Sequence, residues 1–251
     1  MSTEQFYDDL AGVYHLIYPD WEASIARQAN ALDAIIQERF PGSKTILDAA
    51  CGIGTQALGL AALGYELYGS DLSPTSIDRA QSESVSRFLS IDWRVADMRT
   101  LDKAWQSQFD VVLACDNAIP HLLSDTEIEG AFRAMLGCVK PGGGCLISAR
   151  DYEREDRSGT QIKPYGIRQV GDVRYLLWQV WDFEGDTYRV DFYFLADDGA
   201  QCTTRVFRDR YSAIGLDRLA DLMQAAGFEN VTRLDDRYFQ PILVGGRPLV
   251  G

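Results

Sequence analysis

The run Leu47-Asp48-Ala49-Ala50-Cys51-Gly52-Ile53-Gly54-Thr55 joins a short apolar stretch to one rich in Ala and Leu. Glycines at such a strand-to-helix turn let the backbone approach a ligand closely, and the first N–H groups of the helix are free to meet it. A Gly-x-Gly turn alone is common, so its neighbours carry the reading. Asp71 closes the next apolar stretch at Gly69-Ser70-Asp71-Leu72, where one carboxylate can accept both hydroxyls of a ribose. Ala96-Asp97-Met98 follows the third stretch: the Asp97 carboxylate suits the exocyclic amine of adenine, and Met98 suits a ring face. Cys115 closes the fourth, and Asp116 and Asn117 follow it. Together they predict a ligand with an adenosine end and a second end lying by Asp48 and Asp116. A cation fits between those carboxylates and a pyrophosphate does not. A dinucleotide would also want a third glycine in register, and Gln56, Ala57 and Leu58 offer none.

These residues need a parallel sheet to bring them together. The pattern predicts strands at Thr45–Ala49, Glu66–Ser70, Ile91–Val95, Phe109–Cys115 and Cys145–Ala149. Helices alternate with them at Gly52–Leu63, Pro74–Ser84 and Ser124–Val139, the second capped by Ser73 and the third opened by a Ser-x-x-Glu box. Strands that are continuous apolar runs, alternating with helices, imply a doubly wound α/β sheet covered on both faces. After Arg150 the rhythm changes. Val173–Asp182, Thr187–Ala196 and Thr203–Ser212 alternate polar with aromatic residues, and Glu184-Gly185-Asp186 and Asp197–Ala200 read as hairpin turns. A helix at Leu216–Ala226 and strands near Glu229–Leu234 and Tyr238–Val244 complete the pattern. The expected fold is one Rossmann-like domain over 1–251, with a seven-stranded, mostly parallel sheet and an antiparallel β insertion after the fifth strand. Its parts are an N-terminal lid at 1–40, with a helix at Ile25–Phe40, a core at 44–150, the insertion at 160–212 and a closing unit at 213–251.

The chain has 251 residues and a net charge of −13, with no basic stripe to meet phosphate. Nucleic acid and anionic membrane surfaces are therefore not expected as partners, and no apolar run is long enough to span a bilayer. Five cysteines without a C-x-x-C pair, and no leader at Met1–Leu10, point to reduced thiols and a cytoplasmic location. With two histidines and no tight His–carboxylate cluster, no metal is expected. A monomer or a homodimer fits equally.

The sequence resembles the class I S-adenosylmethionine-dependent methyltransferases over roughly Lys44–Arg150. Their first motif usually carries a glycine where Ala50 stands. Phe6-Tyr7-Asp8-Asp9-Leu10-Ala11 with Tyr14–Trp21, then Ala114–His121, Ser148–Tyr152 and Tyr238–Pro241, resemble glycine and sarcosine N-methyltransferases and toxoflavin-type bacterial N-methyltransferases. The resemblance implies S-adenosylmethionine as methyl donor, with S-adenosylhomocysteine as product. It implies that Tyr14, Trp21, Arg27, Ala50, Gly52, Asp71, Leu72, Asp97, Met98 and Cys115 hold the cofactor, Arg27 by pairing with its carboxylate. On the acceptor side stand Tyr7, Asp116, Asn117, Arg150, Trp178 and Tyr238, with Tyr7, His121 and Asp151 as candidate proton acceptors. The relatives' Arg-Asn-Tyr is Arg150-Asp151-Tyr152 here, and a carboxylate at that place disfavours an acidic acceptor. If an acceptor carboxylate is clamped, Arg168 or Arg174 is the candidate. The expected reaction is methyl transfer to a nitrogen of a small molecule: an amine, an amino acid or a planar heterocycle stacked on Tyr7, Trp178, Trp181 and Tyr238. O-methylation and a non-catalytic cofactor-binding role are the alternatives.

Overall fold

The computed structural model describes residues 2–249. The lid begins with α1 (Thr3–Leu10), a 3-10 turn at Tyr14–Ile17, and α2 (Trp21–Arg39), whose first turn is capped by the Asp20 carboxylate accepting from Ala23 N–H at 2.9 Å. The core runs β1 (Thr45–Asp48), α3 (Thr55–Ala62), β2 (Glu66–Asp71), α4 (Pro74–Ser86), β3 (Ile91–Val95), α5 (Leu101–Ala104), β4 (Phe109–Ala114), α6 (Asp125–Cys138) and β5 (Val139–Ser148). The insertion holds β6 (Thr160–Val170), β7 (Val173–Glu184), β8 (Thr187–Asp197) and β9 (Cys202–Ser212). The chain ends in α7 (Leu216–Ala225), β10 (Glu229–Leu234) and β11 (Ile242–Gly246).

The main sheet has seven strands in the order β10-β11-β5-β4-β1-β2-β3. β3, β2, β1, β4 and β5 are parallel, while β11 and β10 pair antiparallel. Alternation along β1 and β4 shows why these strands are apolar throughout. Leu47 and Val112 face one buried layer with Phe132, Met135 and Leu219, while Ile46, Val111 and Leu113 face the other with Leu32, Ile36 and Leu60. The strand order reverses between β1 and β4, and a crevice opens there at the carboxyl ends of the strands. A third apolar layer joins the insertion to the lid, with Phe6 and Leu10 of α1 packed among Tyr152, Trp181, Tyr188 and Phe192.

The departures from sequence expectation have local causes. Gly52 and Gly54 take left-handed φ of 51° and 93°, so α3 begins at Thr55 rather than Gly52. β5 extends back to Val139, running through Pro141–Gly144 with a register shift against β4. The insertion carries a fourth strand, β6, whose Pro164 and Gly166 mask its pattern and coincide with a bulge. Tyr238 lies in a loop, and β11 starts at Ile242.

Candidate active site

A cavity of about 270 Å³ occupies the crevice. Its floor is the ends of four successive strands: Ala49, Ala50, Cys51 and Gly52 after β1, Asp71 and Leu72 after β2, Ala96, Asp97 and Met98 after β3, and Cys115 and Asp116 after β4. Its roof is the lid, through Thr3, Tyr7, Tyr14 and Tyr18. His121, Leu122 and Glu127 close one side.

Asp71 holds the turn together. Its carboxylate accepts from Gly52 N–H at 2.8 Å and from Ser73 N–H at 2.9 Å, which leaves lone pairs facing the cavity. Asp97 caps the 3-10 turn at Met98–Thr100 by accepting from Arg99 N–H, and pairs with the Arg99 guanidinium at 2.6 Å. Burial pushes the Asp97 carboxyl up, but the bonds from Arg99 outweigh it and hold the group below its ordinary range.

The site's charge is one-sided. Asp48, Asp71 and Asp116 are all pushed above the ordinary carboxylate range by burial, Asp48 to about 7. Asp48 lies one layer behind the wall, against Cys51, Cys115 and Asp71, and its Oδ2 has no hydrogen-bond partner. Among the described residues, the only basic side chains on the cavity wall itself are Arg99, already paired, and His121. Buried carboxylates without cations are costly, and a cationic ligand offsets that cost.

Asp116 and Asn117 both take left-handed φ, 57° and 65°. The Ser148 hydroxyl accepts from Asp116 N–H at 2.7 Å, and the Ser148 carbonyl accepts from Asn117 N–H at 3.1 Å. The tight turn aims the Asp116 carboxylate at the lid, where Tyr18 and Tyr14 hydroxyls donate to its Oδ2 at 3.0 and 3.4 Å. Burial raises Tyr7, Tyr14 and Tyr18 well above the ordinary phenol range, so all three stand as neutral phenols. Asn117 is turned inward, its Oδ1 accepting from Arg150 N–H at 3.0 Å.

A second, more open cavity of about 510 Å³ shares Tyr18 and Asp116 with the first and is bordered by Arg27, Arg150, Asp151, Tyr165 and Phe239. Arg150 forms no ion pair among the described residues. Its guanidinium reaches Tyr165 and Tyr188 hydroxyls only at 3.3 and 3.4 Å and stacks 5.0 Å from the Trp181 ring. It is close enough to lower the Asp116 carboxyl against the effect of burial.

Of the residues singled out from the sequence, Tyr7, Tyr14, Ala50, Gly52, Asp71, Leu72, Asp97, Met98, Cys115, Asp116 and His121 line the first cavity. Others stand elsewhere. Trp21 lines neither; its indole N–H donates to Thr55 Oγ1 at 2.9 Å, and the guanidinium groups of Arg79 and Arg87 lie 5.8 and 5.3 Å from its ring. Arg27 is exposed at the second cavity and bonds Ser24. Asp151 lines the second cavity, but its charge is taken up by Arg233 at 2.7 Å and Arg154 at 3.2 Å, so the argument that it repels an acidic acceptor loses its force. Trp178 sits on the outer face of the insertion, stacked 4.9 Å on Tyr193, because its neighbours Leu177 and Gln179 take the inward positions. Tyr238 bonds Gln28 and Gln56 at the edge of the site. Arg168 is spent on carbonyls of Ile17, Tyr18 and Tyr165, and Arg174 on Asp197. Tyr18, Gln56 and Asp209 escaped the sequence reading. Tyr18 lay inside the Tyr-rich lid and was the one with a signal.

Residues 46–143 match the methyltransferase domain family. The match covers the stretch that builds the cavity floor. Its methyltransferase domain is of the class I S-adenosylmethionine-dependent type. This methyltransferase is 24% identical to a glycine/sarcosine N-methyltransferase of Parasynechococcus marenigrum over 222 residues, 86% of this chain and 73% of that one. It is 36% identical to a ubiquinone biosynthesis O-methyltransferase of Methylocella silvestris over 133 residues, spanning 53% of this chain and about half, 47%, of that relative. In fold it resembles the sugar N-methyltransferase KedS8 from a Streptoalloteichus species, with a TM-score of 0.79, 22% identity, and coverage of 94% of this chain and 93% of the other. The Gly52–Gly54 cradle, the cavity-facing Asp71 and the negative charge that Asp48 sets behind the wall fit a sulfonium nucleoside with a cationic amino-acid end. Among the described residues no group of three or more His, Cys, Asp and Glu is placed to hold a metal ion, and no helix is long and apolar enough to cross a membrane.

Proposed function

We propose that this methyltransferase acts on the nitrogen of a small amine that carries an anionic group close by, an amino acid being the simplest case. One observation carries the reading: the buried Asp116 carboxylate and the unpaired Arg150 guanidinium both line the second cavity, Asp116 at the place where it meets the first. A carboxylate attracts an ammonium group, and a guanidinium takes a carboxylate in a fork. The N-methyltransferase relative named above supports the same class. With Trp178 outside and Tyr238 at the rim, these two of the four aromatic residues expected to stack a planar heterocycle line neither cavity.

When bound, the cofactor supplies a methyl group already activated by its sulfonium. The residues of this chain supply position and dryness. Asp71 would hold the ribose, Asp97 and Met98 the adenine, and Asp48, from behind the wall, would attract the amino-acid cation through its charge. Asp116 and the hydroxyls of Tyr14 and Tyr18 would orient the acceptor nitrogen at the roof. Holding two reactants in line is worth up to ~7–11 kcal/mol, so no covalent catalyst is required.

The test is a panel of amines with and without a neighbouring carboxylate, read by mass spectrometry and by the site of methylation. Arg150→Gln should raise KM for carboxylate-bearing amines by about 10–100-fold, from the ~1.5–3 kcal/mol of a charge-assisted bond, and leave cofactor affinity unchanged. Products methylated on oxygen, or an Arg150→Gln enzyme with unchanged KM, would refute the reading.

A further inference from the structure

His121 is positioned by neighbours from three parts of the fold. It ends a 3-10 turn at Ile119–His121 after β4, and its side chain is 6% exposed. Its Nε2 lies 2.7 Å from the hydroxyl of Tyr7 on α1. Its Nδ1 lies 2.9 Å from Oδ2 of Asp209 on β9, which is 7% exposed. Both atoms of that second contact are buried, and neither has an aligned hydrogen-bond partner, each other included. A small turn of the ring satisfies both at once, provided Nδ1 carries the proton. That choice leaves Nε2 as acceptor of the Tyr7 O–H. The other groups facing the imidazole are Tyr211, with ring centroids 4.1 Å apart, and Asp71 across the cavity. Thr3 donates to the remaining Asp209 oxygen at 3.4 Å.

An amine in water is mostly protonated, and it cannot attack a methyl group until it has lost that proton. We propose that Tyr7, His121 and Asp209 form the line by which that proton leaves the acceptor. The acceptor N–H gives its proton to Tyr7 Oη as the Tyr7 O–H proton passes to His121 Nε2. The resulting imidazolium lies against the Asp209 carboxylate. The freed nitrogen lone pair then forms the N–CH₃ bond as the S–CH₃ bond breaks, and that electron pair stays on sulfur. Tyr7 is suited to pass a proton rather than to keep a charge, since it is a neutral phenol between two partners. Asp209 acts through His121 and is a positioning residue. The line exists only while lid, core and insertion are in contact, because each contributes one member.

The proposal rests on the acceptor reading above, and its test is separable from it. The pH profiles of kcat and kcat/KM are measured on whichever acceptor the panel identifies, an O–H acceptor included. O-methyl product would sink the amine reading while the profile still decides about the line. His121→Asn should lower kcat by about 100-fold or more and abolish the acid limb of the kcat profile taken at saturating cofactor, with cofactor affinity by calorimetry unchanged. Asp209→Asn should lower kcat by about tenfold and displace the limb, and Asp209→Glu should recover part of both. Added imidazole should partly restore a His121→Ala enzyme. Wild-type kcat and profile in His121→Asn and Asp209→Asn proteins that still bind cofactor would overturn the proposal. So would a rate loss in them with the acid limb unmoved and no rescue by imidazole.

Discussion

Replacing Asp48 by Asn tests whether this site is held in a costly state that the cofactor relieves. Asp48 is 1% exposed, its Oδ2 is unpartnered, and its only bond is a long one from Ala50 N–H at 3.5 Å. Burial first, and Asp71 nearby, raise its carboxyl from 3.8 to about 7. Between those two values the folded protein without ligand holds a proton that the unfolded chain has released, so stability falls as pH rises through that window. At about 1.4 kcal/mol per pH unit, the group's full cost above pH 7 is about 4 kcal/mol. Asn does not titrate. Urea unfolding of the cofactor-free proteins should therefore show the two nearly equal at pH 4 and Asp48→Asn the more stable by up to about 4 kcal/mol at pH 8. Cofactor binding should run the other way. Wild-type affinity should rise with pH toward about 7, while the variant's stays flat and weaker by about 10-fold or more at pH 8. If the stability curves of the two proteins remain parallel from pH 4 to 8, Asp48 is not a desolvated acid and the cationic-ligand argument loses its foundation.

Two further substitutions probe the cavity floor and the packing of the strand that leads to it. Asp71→Ala leaves the Gly52 and Ser73 amides without their acceptor, at about 1–3 kcal/mol for each buried donor, and should weaken cofactor binding by at least 10-fold; unchanged calorimetric affinity would contradict the ribose assignment. Gly69→Ala would place a Cβ 2.3 Å from the Trp93 ring, which is anchored by its N–H donating to Ser84 Oγ at 3.1 Å. Overpacking of this kind costs about 1–3 kcal/mol, and Tm should fall by about 2–4 °C for each kcal/mol in a thermal melt.

The core was legible because its signals are local. The continuous apolar runs of β1 and β4, the glycine turn, and the acid at each strand end can each be read from a few neighbouring residues. The acceptor side was less legible because its partners are far apart in the chain. Asp209 stands in Arg208-Asp209-Arg210, which reads as a charged, solvated strand, and only the hairpin register turns it onto His121, 88 residues earlier. Asp151 looked like a site residue because of its place beside Arg150, but Arg233 on β10 claims it. Trp178 was chosen for its ring, whereas the alternation of β7 puts Leu177, Gln179 and Trp181 inward and Trp178 out. Aromatic type cannot decide between the two faces of a strand; register can.

The grip of Arg168 on the lid has a practical side. Arg168 holds the carbonyl oxygens of Ile17 and Tyr18, and Arg205 holds that of Asp9, so beside the packing of Phe6 and Leu10 the insertion fastens the lid by its main chain. A fastening of that kind tolerates exchange at Tyr14 and Tyr18. Libraries at those two positions can vary the acceptor specificity of this scaffold while the clasp itself stays intact.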